Sequence, residues 1–265
     1  MSVYADVIRY RELFGSLFRR DIRAKYRGSV LGLGWSLLHP LALMLVYLFV
    51  FSVLGLSADA PDDYWLFLLC GLPAWVFFAT ALQAASRSLL ENASLIRKVR
   101  FPRQLVPLSI VGTNLVSFAV MLGVVVVLSL WRIPDARDTF WLALPLGALF
   151  ACVVAGCALV VASLNALYRD VEHLLQALLL PWFFLTPILY SLGDLPGVDD
   201  YPAADFFLHW VNFLTPPIEA LRAVLYYGDL PGAADTIYTV VAALLALGVG
   251  GWVFNRSDDR IATEV

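Results

Sequence analysis

Charge is what this chain has least of. Asp, Glu, Lys and Arg make up 15% of its 265 residues, hydrophobic residues make up 61%, and the mean hydropathy is +0.79. Polar side chains are too few to cover a soluble core of that size, so the composition points to a polytopic membrane protein. Nucleotide chemistry is missing as well. The sequence holds no GxxxxGK[ST] phosphate loop and no glycine-rich fingerprint, which excludes ATP hydrolysis by the usual device. Its long apolar stretches contain no Asp, Glu, Lys or Arg, the groups that proton- and sodium-coupled carriers bury for function. A pump built on this chain must therefore draw its energy from elsewhere. Cysteine is limited to Cys70, Cys152 and Cys157 and histidine to His39, His173 and His209. They are scattered without CxxC or HExxH spacing, so no metal site is expected.

Apolar length is abundant. A span needs roughly 20 residues to cross about 30 Å of hydrocarbon, and six stretches approach that length: about 31 to 55, 65 to 86, 105 to 130, 141 to 164, 173 to 190 and 236 to 254. The intervening loops differ in charge. Arg9, Arg11, Arg19, Arg20, Arg23, Lys25 and Arg27 precede the first stretch, and Arg87, Arg97, Lys98, Arg100 and Arg103 lie between the second and third. The loop after the first stretch carries only Asp59, Asp62 and Asp63. The positive-inside rule then places both termini in the cytoplasm. No cleaved secretory signal is expected, because charge fills the first 27 positions and the apolar run after them is longer than a signal core.

Three polar segments stand out. From Val3 to Phe18 apolar residues recur at helical spacing (Val3, Val7, Tyr10, Phe14, Leu17, Phe18) with a wet face opposite, the pattern of an interfacial amphipathic helix. The loop "LLENASLIRKVRFPRQLVPL" predicts a short helix over 92 to 101. Asn92 is its N-cap, Leu95, Ile96 and Val99 share one face, and Pro102 ends it at Phe101. Such a helix suits docking or a membrane-surface linker equally. Residues 191 to 235 are acidic at both ends and interrupted by Pro216 and Pro217, and they read as two short helices dipping into the outer leaflet.

The stretches "RDIRAKYRGSVLGLGWSLLHPL", "NASLIRKVRFPRQLVPLS", "NALYRDVEHLLQALL" and "LTPILYS" resemble, in order over about residues 10 to 227, the transmembrane subunits of ABC-2-type polysaccharide exporters: the O-antigen, capsule and teichoic-acid permeases. One departure is Phe213 after Asn212, where that family usually has proline. The resemblance implies an all-α membrane protein of six transmembrane helices with an N-terminal amphipathic interfacial helix, a cytoplasmic coupling helix and re-entrant extracytoplasmic gate helices. It divides the chain into an interface helix and basic junction (1–30), the transmembrane domain (31–254, with the outer gate at about 191–235) and a cytoplasmic tail (255–265). It also implies a bacterial inner-membrane homodimer carrying two cytoplasmic ABC ATPase subunits that use ATP and Mg. The expected cargo is a lipid-linked glycan, with no cofactor in this chain and no nucleic-acid partner.

Site roles follow from the resemblance. Asn92, Leu95, Ile96, Arg97, Lys98, Val99, Arg100 and Phe101 would couple to the ATPase. Arg20, Arg23, Lys25 and Arg27 would hold a doubly anionic lipid pyrophosphate at the entrance, although the same residues also serve as a topological anchor in anionic lipid. Trp35, Trp75, Trp182, Phe183, Phe184, Tyr190 and Trp210 would offer aromatic faces to sugars. Two alternatives stay open: an ABC-2 exporter of a drug or lipid, which a closed lateral pocket would favour, and a membrane-embedded glycosyl- or acyltransferase, which would need acid, base or histidine groups clustered at one membrane face.

Overall fold

A computed structural model describes residues 3–29, 31–32, 34–53, 62–99, 101–192 and 202–264. Among them every regular element is helical. In chain order these are α1 (Val3–Arg9), α2 (Arg11–Tyr26), α3 (Gly34–Val53), α4 (Tyr64–Glu91), α5 (Ala93–Lys98), α6 (Leu105–Arg132), α7 (Ala136–Thr139), α8 (Ala143–Leu167), α9 (Asp170–Leu185), α10 (Pro202–Phe206), α11 (Thr215–Arg222) and α12 (Ala233–Glu264). Short π-helical turns, Phe207–Val211 and Ala223–Tyr227, extend α10 and α11.

A helix stands at each of the six apolar stretches, but among the described residues four are long and apolar enough to cross a membrane: Tyr64–Glu91, Leu105–Arg132, the continuous run Ala136–Leu167, and Ala233–Ile261. The remaining two differ from the expectation. Within α3 the apolar part is the shorter run Leu37–Val50. Helix α9 has 16 residues, about 24 Å of rise, and ends at Leu185 instead of running on to 190. The cause is local. Pro187 disfavours helical backbone in the residue before it, and Thr186 is extended at φ −93° and ψ 130°.

Helix α4 is the axis of the fold. It is apolar all round, and α3, α6, α8, α9 and α11 pack against it. Its side chains from Leu66 to Ala85 form the middle of the main core with Phe118, Phe150 and Ile218. The most extensive helix pair is α8 with α12, and there the backbones nearly touch. A Cβ on Gly156 would fall within the backbone of Ala246 and Leu247, and one on Gly250 within that of Gly156. Small residues permit this approach where hydrocarbon supplies no hydrophobic drive between helices.

The two ends of the bundle differ chemically. At one end Arg132 Nε bonds Asp63 Oδ2 at 2.6 Å, joining the end of α6 to the start of α4. That donated hydrogen bond holds the Asp63 carboxyl below its usual value. At the other end Arg103 Nη1 donates to Asp258 Oδ1 at 2.8 Å, Gln104 Nε2 donates to Asp6 Oδ2 at 2.7 Å, and Arg87 Nε meets Glu172 Oε1 at 2.9 Å. The N-terminal helices, the α4–α6 loop, the start of α9 and the C-terminal part of α12 therefore share one end, here called the basic end. The N-terminal amphipathic stretch is broken at Tyr10 into α1 and α2, where the sequence reads as one helix.

Candidate functional site

Residues of functional interest collect in three places. The first is the loop at the basic end. Its helix, α5, covers Ala93–Lys98, and the chain is already extended at Val99 (φ −128°, ψ 132°), so it stops before the expected Phe101. Asn92 does not cap α5 through its side chain. Its Nδ2 instead donates to Ser88 O at 2.8 Å, closing the end of α4. The three expected anchors do not share a surface: Ile96 is buried in a small core with Leu17, Leu89, Leu105 and Phe254, Leu95 and Phe101 are partly buried beside it, and Val99 is exposed. Arg97 and Lys98 are exposed with Val99, while Arg100 lies outside the described residues.

The second place is α2. Its positions 14, 18, 21 and 25 form one helical stripe, which faces α6: Phe14 and Phe18 lie over Gly112, Asp21 Oδ2 accepts from Ser109 Oγ at 2.7 Å, and Lys25 Nζ donates to Asn114 Oδ1 at 3.0 Å. Arg20, Arg23 and Arg27 are exposed on another face. All four basic residues are exposed, and among them Lys25 turns its ammonium to α6.

The third place is the hairpin of α10 and α11. The double proline read as an interruption begins α11, where missing N–H groups cost nothing. Asn212, just before it, organises the surroundings. Its Oδ1 accepts from Trp182 Nε1 at 2.9 Å and from Leu214 N at 3.3 Å, and its Nδ2 donates to Thr186 Oγ1 at 3.0 Å and Leu185 O at 3.2 Å. Phe213, at the position where the resemblance expects proline, fits edge-on between Phe78 and Trp182 with ring centroids 6.2 and 5.3 Å away.

The chain after α9 is strapped down by three donors. Besides Asn212, Tyr64 Oη donates to Leu189 O at 2.7 Å and Arg222 Nη2 to Ile188 O at 3.3 Å. Arg222 is fully buried. Its Nη1 lies 2.5 Å from Glu219 Oε1, its guanidinium carbon 3.7 Å from the centroid of the Phe67 ring, and its Nε has no partner among the described residues. Gly71 makes room: a Cβ there would stand 3.2 Å from Nη2. This buried guanidinium lies in the segment 191 to 235, outside the six charge-free stretches. The sequence signal was available in "TPPIEALRAV", whose Glu219 and Arg222 are one turn apart in an apolar setting.

Of the aromatic candidates, Trp75, Trp182 and Phe183 come together in one cluster with Phe78, and Trp75 and Phe183 are buried in it. Trp35 and Phe184 are exposed. Tyr190 Oη donates back to Phe184 O at 3.1 Å, and Trp210 packs between His209 and Tyr238. Beside Trp210, His209 Nε2 lies 2.8 Å from Asp235 Oδ1, linking the hairpin to the start of α12. Hydrogen bonding to Asp235 raises the His209 pKa against partial desolvation, and the charges of Asp235, Glu219 and Asp205 add to the rise.

A raised folded-state value means that this contact stabilises fully below the ordinary histidine range and fades as pH climbs through the raised value. Because the pair is partly exposed, its contribution is below about 1 kcal/mol. Melting of wild type and Asp235→Asn should differ most in acid and converge in alkali, and a difference that grows with pH would refute the assignment.

Comparison with known proteins bears on these features. A family model described as "ABC-2 type transporter" matches residues 12–226. The chain is 29% identical over 273 residues to a Myxococcus xanthus protein named "O-antigen export system permease protein RfbA", covering 98% of each. It is 29% identical over 258 residues to a Klebsiella pneumoniae protein of the same name, covering 95% of this chain and 94% of the relative. An Escherichia coli "Polysialic acid transport protein KpsM" is 24% identical over 255 residues, with 94% and 95% covered.

Proposed function

Since this chain belongs to the ABC-2 type transporter family, we propose that it is the membrane subunit of an ATP-driven exporter of lipid-linked polysaccharide, acting as a homodimer with two ABC ATPases on its basic end. The observation that carries this reading is the end-to-end similarity to O-antigen and polysialic acid permeases. The absence of a phosphate loop from the sequence assigns ATP and Mg to the partner. In this reading α3 and α9 complete a set of six spans with both termini cytoplasmic in a bacterial inner membrane. Helix α5 is the coupling helix, α1 and α2 form the interface helix, and the α10–α11 hairpin is the outer gate. Arg20, Arg23 and Arg27 attract the pyrophosphate of the cargo lipid, and the exposed Trp35 and Phe184 are the aromatic faces open to a glycan.

The test is deletion of the gene with plasmid complementation, reading surface polysaccharide. Wild type restores it, and unchanged surface polysaccharide in the deletion strain overturns the reading. The coupling contact is tested in the same strain. Val99→Asp should leave the membrane subunit inserted but reduce both ATPase capture and export, because it places a charge on the exposed tip of the loop. Ile96→Asp should instead deplete the subunit itself, since burying a side chain of this kind is worth about 1.5–3 kcal/mol. Full ATPase capture and export by Val99→Asp would remove α5 from the docking surface.

A further inference from the structure

The end of α4 that carries the α5 loop is tied to the start of α9 through two adjacent residues. Ser86 O accepts from Asn165 Nδ2 at 2.8 Å, and Arg87 Nε meets Glu172 Oε1 at 2.9 Å. Asn165 reaches α9 as well. Its Oδ1 accepts from Glu172 N at 2.9 Å, giving a partner to one of the backbone donors that the first turn of a helix leaves open. Glu172 Oε1 also accepts from Gln176 Nε2 at 3.2 Å, one turn further along. One carboxamide and one carboxylate therefore join α4, α8 and α9. Ser88, directly after Arg87, takes the Asn92 side-chain amide on its carbonyl. The joint to α9 and the joint to α5 thus share residues 86–88 of α4.

At its far end α9 is tied again. Trp182 Nε1 and Thr186 Oγ1 are both bonded to Asn212, at the foot of the α10–α11 hairpin. Glu172 and Trp182 are ten residues apart, about 15 Å of helix, and α9 buries only the stripe Leu175, Leu179 and Phe183. Pro181 removes one helical hydrogen bond just before the second joint, so bending of α9 belongs at that end. Helix α4 is held differently, since its side chains from Leu66 to Ala85 are packed into the main core. Of the two helices that leave the joint, α9 is the freer to shift. The ion pair at the joint is partly exposed, with 46% of the Arg87 side chain and 24% of that of Glu172 accessible. Such a pair adds little to stability.

We propose that Asn165 and the Arg87–Glu172 pair are positioning residues that pass a displacement of the α5 loop sideways to α9, and through Trp182 and Asn212 to the α10–α11 hairpin. In the exporter reading, on which this rests, α5 takes the ATPase stroke and the hairpin is the outer gate. The joint supplies the route between them. Coupling over such a distance is carried by rigid elements and by bonds that hold them end to end, and α9 has both. Asn165, buried and bonded to both helices, fixes where α9 starts relative to α4. Arg87 and Glu172 fix its direction, because the pair pulls on the first turn of α9 whenever the end of α4 moves.

The experiment uses the deletion strain complemented with each variant, and the complex with its ATPase purified from it. Arg87→Glu and Glu172→Arg should each keep ATPase capture and ATP hydrolysis within about twofold of wild type, yet lower surface polysaccharide about fivefold or more, as expected when coupling between two sites is lost. The double variant restores opposite charges and should recover export, which a folding defect in either single variant would not allow. Asn165→Leu removes both side-chain bonds at similar volume and should lower export in the same way; the charge pair keeps the test decisive if that variant does not accumulate. Limited proteolysis between α9 and α11 gives a readout independent of cargo: ATP should change the cleavage rate in the wild-type complex and leave it unchanged in Arg87→Glu. Full export by both single variants, no recovery in the double variant, or a wild-type cleavage rate indifferent to ATP overturns the proposal. Loss of ATPase capture in Arg87→Glu also overturns it, by making Arg87 a docking contact. Each of these leaves the exporter reading standing, which falls only if gene deletion leaves surface polysaccharide unchanged.

Discussion

Arg222→Ala is expected to cost at least about 3 kcal/mol and to release the α10–α11 hairpin from the bundle. The guanidinium is fully buried and touches three things at once: Glu219, the carbonyl of Ile188 and the Phe67 ring. Removing one member of a buried charge pair costs about 3–5 kcal/mol, because the remaining polar groups keep their desolvation cost without a partner. A stacked cation contributes about 2 kcal/mol when desolvated, and Ala leaves a void as well. Lysine is no substitute, since a point charge cannot span Glu219, Ile188 O and the ring face together. The unpartnered Nε makes a further consequence testable. If the pair is costly in itself, Arg222→Met combined with Glu219→Gln should recover much of the loss by filling the site with apolar volume. Thermal melting in detergent and limited proteolysis between α9 and α11 measure both effects. A wild-type melting temperature for Arg222→Ala would show that the hairpin is held by other contacts.

The second large effect is expected at Gly156, where even alanine should separate α8 from α12. The added Cβ would occupy the space of the Ala246 and Leu247 backbone, and backbone cannot step aside as a flexible side-chain end can. Overpacking of ordinary cores costs about 1–3 kcal/mol, and a clash between two helix backbones belongs at or above the top of that range. Gly156→Leu should therefore prevent stable insertion of the chain. Gly248 supplies the control, because a Cβ there meets nothing within 4 Å. Gly248→Ala should be neutral or stabilising by about 0.5–1 kcal/mol, the ordinary gain of replacing glycine inside a helix. Expression level and monodispersity of the purified variants give the readout. Equal behaviour of Gly156→Ala and Gly248→Ala would refute close backbone contact as the basis of the pair.

The coupling-loop residues show how far one-dimensional reading reaches. Leu95, Ile96 and Val99 are spaced as neighbours on a helix, but the helix ends at Lys98, and Val99 leaves it in an extended conformation. The spacing is therefore right for the first two and fails for the third. Asn92 stands where an N-cap belongs, yet its side-chain amide joins its own backbone N–H on Ser88 O in the last turn of α4. Both donors and acceptors are unsatisfied at a junction of two helices, and sequence does not reveal which of them a short amide will meet.

What the sequence determined by itself was the class of protein and the sites of its helices. Those depend on composition and on apolar runs, which are properties of consecutive residues and need no partner. It also determined the division between basic and acidic loops. Tertiary structure decided which side chain faces what. Arg20, Arg23, Lys25 and Arg27 are one cluster in the chain, but the stripe of α2 that packs on α6 brings the Lys25 ammonium to Asn114 and Ser117 and leaves the arginines in a separate groove. Likewise Trp75, Trp182 and Phe183 lie on two helices far apart in sequence, and the packing of α9 on α4 makes them one aromatic cluster. Asn212 and Arg222 gained their roles in the same way, from a hydroxyl and a carbonyl on a strap 26 and 34 residues upstream. The physical reason is common to all of these. A helix offers every side chain a direction, but only the neighbouring helix makes that direction buried, paired or open.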